Sequence, residues 1–112
     1  MTINAIRKLD HEWYEPERDD LDSEEAQLPG AEYSGFKIRP LTGSELMDVS
    51  DVQGLTGHQK SIMFAMSDWR NFADGEKFKL TSALKLIPAK YQVRIGKRIL
   101  EISDYSGEQQ KN

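Results

Sequence analysis

The chain contains no cysteine and no apolar run that approaches the length of a membrane span. The absence of cysteine excludes disulfide frameworks, thiolate nucleophiles and cysteine metal sites. A membrane-spanning helix needs about 20 predominantly apolar residues, and a signal peptide needs an apolar core that residues 1–10 do not provide. We therefore expect a small cytoplasmic protein without a membrane partner.

The sequence also lacks the local motifs of catalysis and of metal or cofactor binding. His11 and His58 are the only histidines, and neither has a second ligand at metal-binding spacing. Gly54 and Gly57 are not followed by the lysine and hydroxyl residue of a phosphate-binding loop, and no serine lies in a nucleophile elbow. We therefore expect a protein that is not an enzyme and that has no catalytic, cofactor-binding or metal-binding residues.

The charges are divided unequally along the chain. Residues 1–32 hold ten acids and three bases, whereas residues 33–112 hold nine acids and twelve bases. Nine of the acids lie within residues 10–25: Asp10, Glu12, Glu15, Glu17, Asp19, Asp20, Asp22, Glu24 and Glu25. This acidic block repels nucleic acid and cannot be buried, so we expect residues 14–30 to be mobile. The expected organisation is an acidic, partly mobile arm at 1–32 and a single small globular domain at 33–112 with a frayed tail.

Two short segments have the sequence pattern of strands. Residues 35–39 and 77–80 alternate apolar with small or charged side chains, which is typical of short, half-buried strands. Pro40 ends the first segment, and the second follows the turn-forming pair Asp74-Gly75. We expect these two segments to pair with each other in a small β-sheet.

Helix-start signals divide the rest of the chain into about four helices. Thr42 and Glu45 have the spacing of a capping box, and the sequence beginning at Thr56 repeats that arrangement. The second of these helices is expected to include the apolar residues that follow at helical spacing: Ile62, Met63, Ala65, Met66 and Trp69. Thr81 or Ser82 can cap a short third helix.

The last helix is expected to be the longest, from about residue 88 to residue 103, with Pro88 as its first residue. Its apolar stripe consists of Tyr91, Ile95, Ile99 and Ile102. Its basic outer surface consists of Lys90, Arg94, Lys97 and Arg98. A short amphipathic helix is also indicated near the start of the chain by Ile6, Leu9 and Trp13. These elements predict a mainly α fold with a small β element, which is an α+β fold.

The second half of the chain contains a series of short motifs in a particular order. They are Asp68-Trp69, Asp74-Gly75, Thr81 before a helix with Leu84, Ile87-Pro88, Ile95 and Ile99, Glu101-Ile102-Ser103, Glu108 and Lys111-Asn112. Upstream, residues 36–43 and Glu45 have the pattern of a strand, a turn and a helix start. With this order and spacing, about two thirds of the chain resembles the tail assembly chaperones of long-tailed bacteriophages. The acidic block of residues 10–25 is not part of the resemblance.

The resemblance implies a role and partners without a catalytic site. It implies a chaperone that binds the tape measure protein, keeps this long helical chain soluble and helps tail tube protein to polymerise around it. Such a protein would act in the bacterial host cytoplasm and be absent from the mature virion. The resemblance leaves open whether the chain forms a homo-oligomer and whether a longer, frameshifted form exists.

Three residues are the candidates for partner binding. A groove for helical segments needs adaptable apolar side chains, and Met63, Met66 and Trp69 can provide them if they lie on one helix. For each residue taken singly, the sequence favours core packing over partner binding, and Trp69 is also expected to anchor the loop that follows it. The alternative function is that of an acidic interaction protein, such as a DNA-mimic antirestriction protein or an antitoxin, in which residues 10–25 would carry the activity.

Overall fold

In the computed structural model of the chain, the described residues are 10–18 and 33–103. Within them, four α-helices accompany a three-stranded antiparallel sheet. The elements in chain order are β1 (Glu12–Tyr14), β2 (Gly35–Ile38), α1 (Gly43–Ser50), α2 (Gly54–Ala65), β3 (Met66–Arg70), a 3-10 turn (Ala73–Gly75), α3 (Leu80–Leu86) and α4 (Ala89–Ile102). The expected mainly α fold with a small β element, in which the last helix is the longest, is confirmed.

The sheet has the order β1-β2-β3, so β2 is central and pairs with a strand on each side. The expectation that residues 77–80 pair with β2 is wrong. Phe78 instead packs its ring against Trp69, with the ring centroids 5.1 Å apart, and α3 begins at Leu80. Trp13 lies in β1 opposite Lys37 and not in a helix, whereas Ile6 and Leu9 lie outside the described residues.

A β-bulge explains why a strand occurs where a helix was expected. Lys37 pairs with Asp68 and Ile38 pairs with Met66, so Ser67 is an extra residue in β3. The extra residue allows Met66 and Trp69 to be buried together, although a regular strand sends residues three apart to opposite faces. The helix expected to reach Trp69 therefore ends at Ala65.

Of the three helix starts at which the sequence predicts a hydroxyl cap, one is confirmed. The capping box of α1 is confirmed, because Thr42 Oγ1 accepts from the Glu45 backbone N–H and the Glu45 carboxylate accepts from the Thr42 backbone N–H. Thr56 does not cap α2, which begins at Gly54. Neither Thr81 nor Ser82 caps α3, because that helix begins one residue earlier. Pro88 is the N-cap of α4, one residue before the first helical position.

Arg39 joins β2 to two helices through charge-assisted hydrogen bonds. Its guanidinium donates to both carboxylate oxygens of Glu45, at 2.8 and 2.9 Å, and to the backbone oxygen of Phe64 at 2.7 Å. The hydrogen bond from Arg39 lowers the pKa of Glu45 to about 2. The carboxylate therefore stays ionised and holds α1 against the end of the central strand.

The core contains an aromatic cluster formed by Phe36, Trp69, Phe72 and Phe78. Phe36 and Trp69 each meet Phe72 edge to face with ring centroids 5.2 Å apart. Trp69 is 6% exposed, and its Nε1–H donates to the backbone oxygen of Glu76 at 2.7 Å. This contact confirms that Trp69 anchors the loop after β3 to the core.

Residues 10–18 belong to the folded structure. β1 is paired with β2, and Glu12 accepts from Arg98 of α4 at 2.7 and 3.1 Å. Within the described residues, β1 of the expected arm thus contacts the expected domain. The division into an arm at 1–32 and a domain at 33–112, and the mobility of residues 14–30, stay predictions. Residues 19–32 and the tail at 104–112 lie outside the described residues.

Candidate partner-binding surface

The structure does not bring Met63, Met66 and Trp69 together on one surface. Met63 lies on α2 and is 52% exposed, whereas Met66 and Trp69 lie in β3 and are 5% and 6% exposed. Two of the three candidates are therefore core residues, and only Met63 is available to a partner.

Met63 belongs to an outward row on α2 that we call the α2 stripe, formed by Leu55, Gln59 and Met63. The spacing of four places these residues on one side of the helix, and Leu55 is also exposed. The residues of α2 that are buried are Gly57, Ser61, Ile62 and Ala65. Sequence reasoning missed Leu55, although its spacing of eight residues from Met63 was a signal that could have been used.

The middle of the stripe is fixed to the other helices by a buried amide. Gln59 Nε2 donates to Gln92 Oε1 at 2.9 Å. Gln92 is buried in α4, and its Nε2 donates to the backbone oxygens of Leu84 at 3.0 Å and Ile87 at 2.8 Å. These bonds satisfy the last carbonyls of α3 and connect three helices beneath the stripe.

Behind the stripe, His58 of α2 packs directly against Gly96 of α4. A Cβ on residue 96 would lie 2.6 Å from Cβ and 2.7 Å from Cγ of His58, so only glycine leaves room for the imidazole. The Nδ1 atom of His58 is buried and has no hydrogen-bond partner among the described residues. Burial, and secondarily the charge of Lys97, lowers the pKa of His58. We call His58, Gln59, Gln92 and Gly96 together the polar joint.

Other exposed apolar side chains lie on different elements. Met47 on α1 is 73% exposed, and Leu86 lies at the end of α3. Trp13 on β1 is covered on one side by the Arg70 guanidinium, which lies 4.6 Å from the ring centroid. On α2 the stripe presents two exposed apolar side chains, Leu55 and Met63.

Two acids of the N-terminal segment form ion pairs within the chain. Glu12 pairs with Arg98, and Glu15 contacts Arg18 at 2.8 Å and Arg70 at 3.6 Å. These carboxylates are therefore already engaged by cations of the same fold.

Comparisons with known proteins identify no relative. No known protein family, no curated protein and no solved structure matches the chain. Within residues 10–18 and 33–103, no helix is both long and apolar enough to cross a membrane. In the same part of the chain, no three His, Asp or Glu side chains are grouped so that they could hold a metal ion.

Proposed function

We propose that this chain is a non-enzymatic tail assembly chaperone of a long-tailed bacteriophage. It binds the tape measure protein, keeps it soluble and assists the polymerisation of tail tube protein, in the host cytoplasm and outside the mature virion. The sequence resemblance supports this role. The structural observation that carries the proposal is the α2 stripe, whose exposed Leu55 and Met63 offer an adaptable apolar surface.

The stripe has dimensions that suit a helical ligand. Leu55 and Met63 are two turns apart, which corresponds to a rise of about 12 Å along α2. An amphipathic helix presents apolar side chains with the same period, so it can contact both residues at once. Only two large apolar side chains take part, so each contact is weak, and the flexible thioether of Met63 accepts ligands of different shape.

The alternative role as an acidic interaction protein receives less support from the described residues. A DNA mimic or an antitoxin of this kind has to display its carboxylates to a partner. Glu12 and Glu15 instead form ion pairs with arginines of the same chain. That role would therefore depend on residues 19–25, and its binding would weaken strongly in high salt.

Co-expression with overlapping fragments of a tape measure protein tests the proposal. We expect the chain to raise the soluble fraction of several fragments, and Met63→Glu to abolish the effect because a charge would be placed in the apolar contact. Met47→Glu is the matched control, since it adds the same charge at an exposed methionine on α1. Both variants should keep the melting temperature of the parent chain.

Two results would contradict the proposal. In the first, no fragment becomes more soluble, or an unrelated folded protein is solubilised as much. In the second, Met63→Glu and Met47→Glu change the soluble fraction of the fragments equally, which would show that the α2 stripe is not the binding contact. The first result would favour the acidic interaction protein.

A further inference from the structure

A cavity of about 210 Å³ is lined by the segment that follows β1, by β2 and by the junction of α3 with α4. Three aromatic rings contribute to it, from Phe36 in β2, Phe72 in the loop after β3 and Tyr91 in the first turn of α4. We call this cavity the aromatic pocket. Because these elements form its lining, the aromatic pocket is separate from the α2 stripe.

The size and the walls of the aromatic pocket suit an aromatic occupant. Phe36 and Ile87 are buried, and Phe72 meets Phe36 edge to face with the ring centroids 5.2 Å apart, so this wall is fixed by the core. Aromatic rings pack best edge to face or offset. An apolar cavity of about 150 Å³ holds benzene. At about 210 Å³, the aromatic pocket has room for a larger ring system.

The polar edge of the aromatic pocket offers acceptors. The Ser34 hydroxyl donates to the backbone oxygen of Asn71 at 2.6 Å, and the Ser34 backbone N–H donates to Glu17 Oε1 at 3.3 Å. Both protons of Ser34 are therefore used within the chain. The Glu17 carboxylate can only accept, and it has room for more than one hydrogen bond. Pro16 and Pro88 also line the pocket and have no backbone N–H. An occupant that donates a hydrogen bond is therefore favoured.

The charges and the opening of the aromatic pocket narrow the choice further. Glu17 is negative, whereas the Lys90 ammonium lies 5.1 Å from the centroid of the Tyr91 ring. With both signs present, a neutral donor fits better than an ion of either sign. Pro88 is exposed and Glu17 is half-buried, so a ring can enter while the backbone that carries it stays outside. Tryptophan is the side chain that combines two fused rings with a neutral N–H donor.

We propose that the aromatic pocket binds a tryptophan side chain of a partner protein. The indole lies against Phe72 and Tyr91, and its N–H donates to the carboxylate of Glu17. A buried tryptophan with a satisfied N–H is a typical anchor of a protein interface. The inference rests on the cavity and its hydrogen-bonding groups and does not depend on the proposed chaperone function.

An NMR titration of the full-length protein with N-acetyltryptophanamide tests the proposal. We expect saturable shifts of the backbone amide signals of Ser34, Phe72 and Tyr91, with a dissociation constant on the order of 1 mM for a ligand that fills one pocket. Intermolecular NOEs should connect the indole protons to the Tyr91 ring and the Ile87 methyl groups. The benzothiophene analogue, in which sulfur replaces the indole N–H, should bind at least about fivefold more weakly because it cannot donate.

Two acid-to-methionine variants identify the acceptor. Glu17→Met removes the carboxylate from the pocket at similar side-chain length, so the two ligands should bind this variant equally. Glu76→Met is the matched control, since it makes the same change at an exposed acid outside the lining and should keep the preference for the indole. Each comparison is made within one variant, and the NOEs of the parent protein decide the site even if Glu17→Met fails to fold.

Four results would overturn the proposal. The first is a titration of the parent without saturable shifts, and the second is a set of NOEs at the α2 stripe in place of the aromatic pocket. The third is equal affinity of the parent for the two ligands. The fourth is a ligand-free protein whose Trp13 indole signal and pocket signals shift together with protein concentration, because a second copy of the chain would then fill the pocket.

Discussion

The aromatic cluster and the polar joint stabilise the same core by different means. In the aromatic cluster, rings meet edge to face at centroid distances of 5.1 or 5.2 Å and exclude water. In the polar joint, α2 and α4 meet through a glycine, an imidazole and two amides. The stability of the aromatic cluster depends on buried apolar area, whereas that of the polar joint depends on close fit and hydrogen-bond geometry.

This difference determines how each region responds to substitution. Loss of a ring removes a large apolar area and leaves a cavity, so the aromatic cluster is sensitive to truncation. The polar joint is sensitive to added atoms and added charge. A Cβ at residue 96 would overlap His58, and the buried Nδ1 of His58 has no hydrogen-bond partner among the described residues. The predictions below test this contrast from the largest expected effect to the smallest.

Trp69→Ala should give the largest loss of stability. The substitution removes the centre of the aromatic cluster and the hydrogen bond to Glu76, and we expect the free energy of unfolding to fall by about 3–5 kcal/mol. Urea denaturation measures this change. Trp13→Ala is the control, because the other tryptophan is partly exposed and should contribute about 1 kcal/mol or less. Equal effects of the two variants would show that the cluster does not dominate the core.

Gly96→Ala should destabilise the protein by about 1–3 kcal/mol, because the new methyl group overlaps His58. The sign of the stability change is decisive, because in an uncrowded helix alanine stabilises the protein relative to glycine by about 1 kcal/mol. Gly43→Ala in α1 is the control, as the added methyl group meets no atom within 4 Å beyond its chain neighbours and the backbone of its own helix. A stabilising Gly96→Ala would contradict the close approach of α2 and α4.

Adding His58→Gly to Gly96→Ala gives a second test of that contact, because glycine removes the three His58 atoms nearest to the new methyl group. If the two side chains overlap, the double variant should be more stable than the sum of the single effects predicts. If the two effects are additive, the loss of stability in Gly96→Ala is not caused by overlap with His58.

The sequence predicted most of the fold, and its main error has a specific cause. Helical spacing of apolar residues continues from Ile62 to Trp69, and a bulged strand can bury residues three apart just as a helix does. Without knowledge of the bulge at Ser67, the apolar pattern could not distinguish a helix from a bulged strand. The same error placed Met66 and Trp69 on a partner-binding helix, although both pack in the core.

The polar joint could not have been predicted from local patterns. Gln59 and Gln92 are 33 residues apart, and neither residue type marks a core position. Gly96 lies in the middle of a helix, where glycine normally weakens the structure. The need for glycine at this position can be recognised only once His58 is known to pack against it. In contrast, the capping box at Thr42 was predictable because both partners lie within four residues.

The smallest expected effect is the dependence of stability on pH at the polar joint. Burial lowers the pKa of His58 in the folded chain, whereas an unfolded histidine titrates with a pKa of about 6.5. Lys97 on α4 is the charged group that adds to this lowering. As the pH falls below about 6.5, the unfolded chain takes up a proton at His58 more readily than the folded chain does. The contribution of His58 is therefore complete above that pH and is lost as the pH falls through the lowered pKa.

Urea midpoints measured from pH 7.5 to pH 5.5 at constant ionic strength test this dependence. The range lies above the pKa of ordinary unfolded carboxyl groups, which is about 4, so their titration contributes little. We expect the midpoint to decrease over this range in the parent chain and in His11→Gln, which keeps His58. The decrease should be smaller in His58→Gln, because no proton can bind at that position. If His58→Gln shows the same decrease as the parent, another group causes it and the crossing of α2 and α4 is not sensitive to acid.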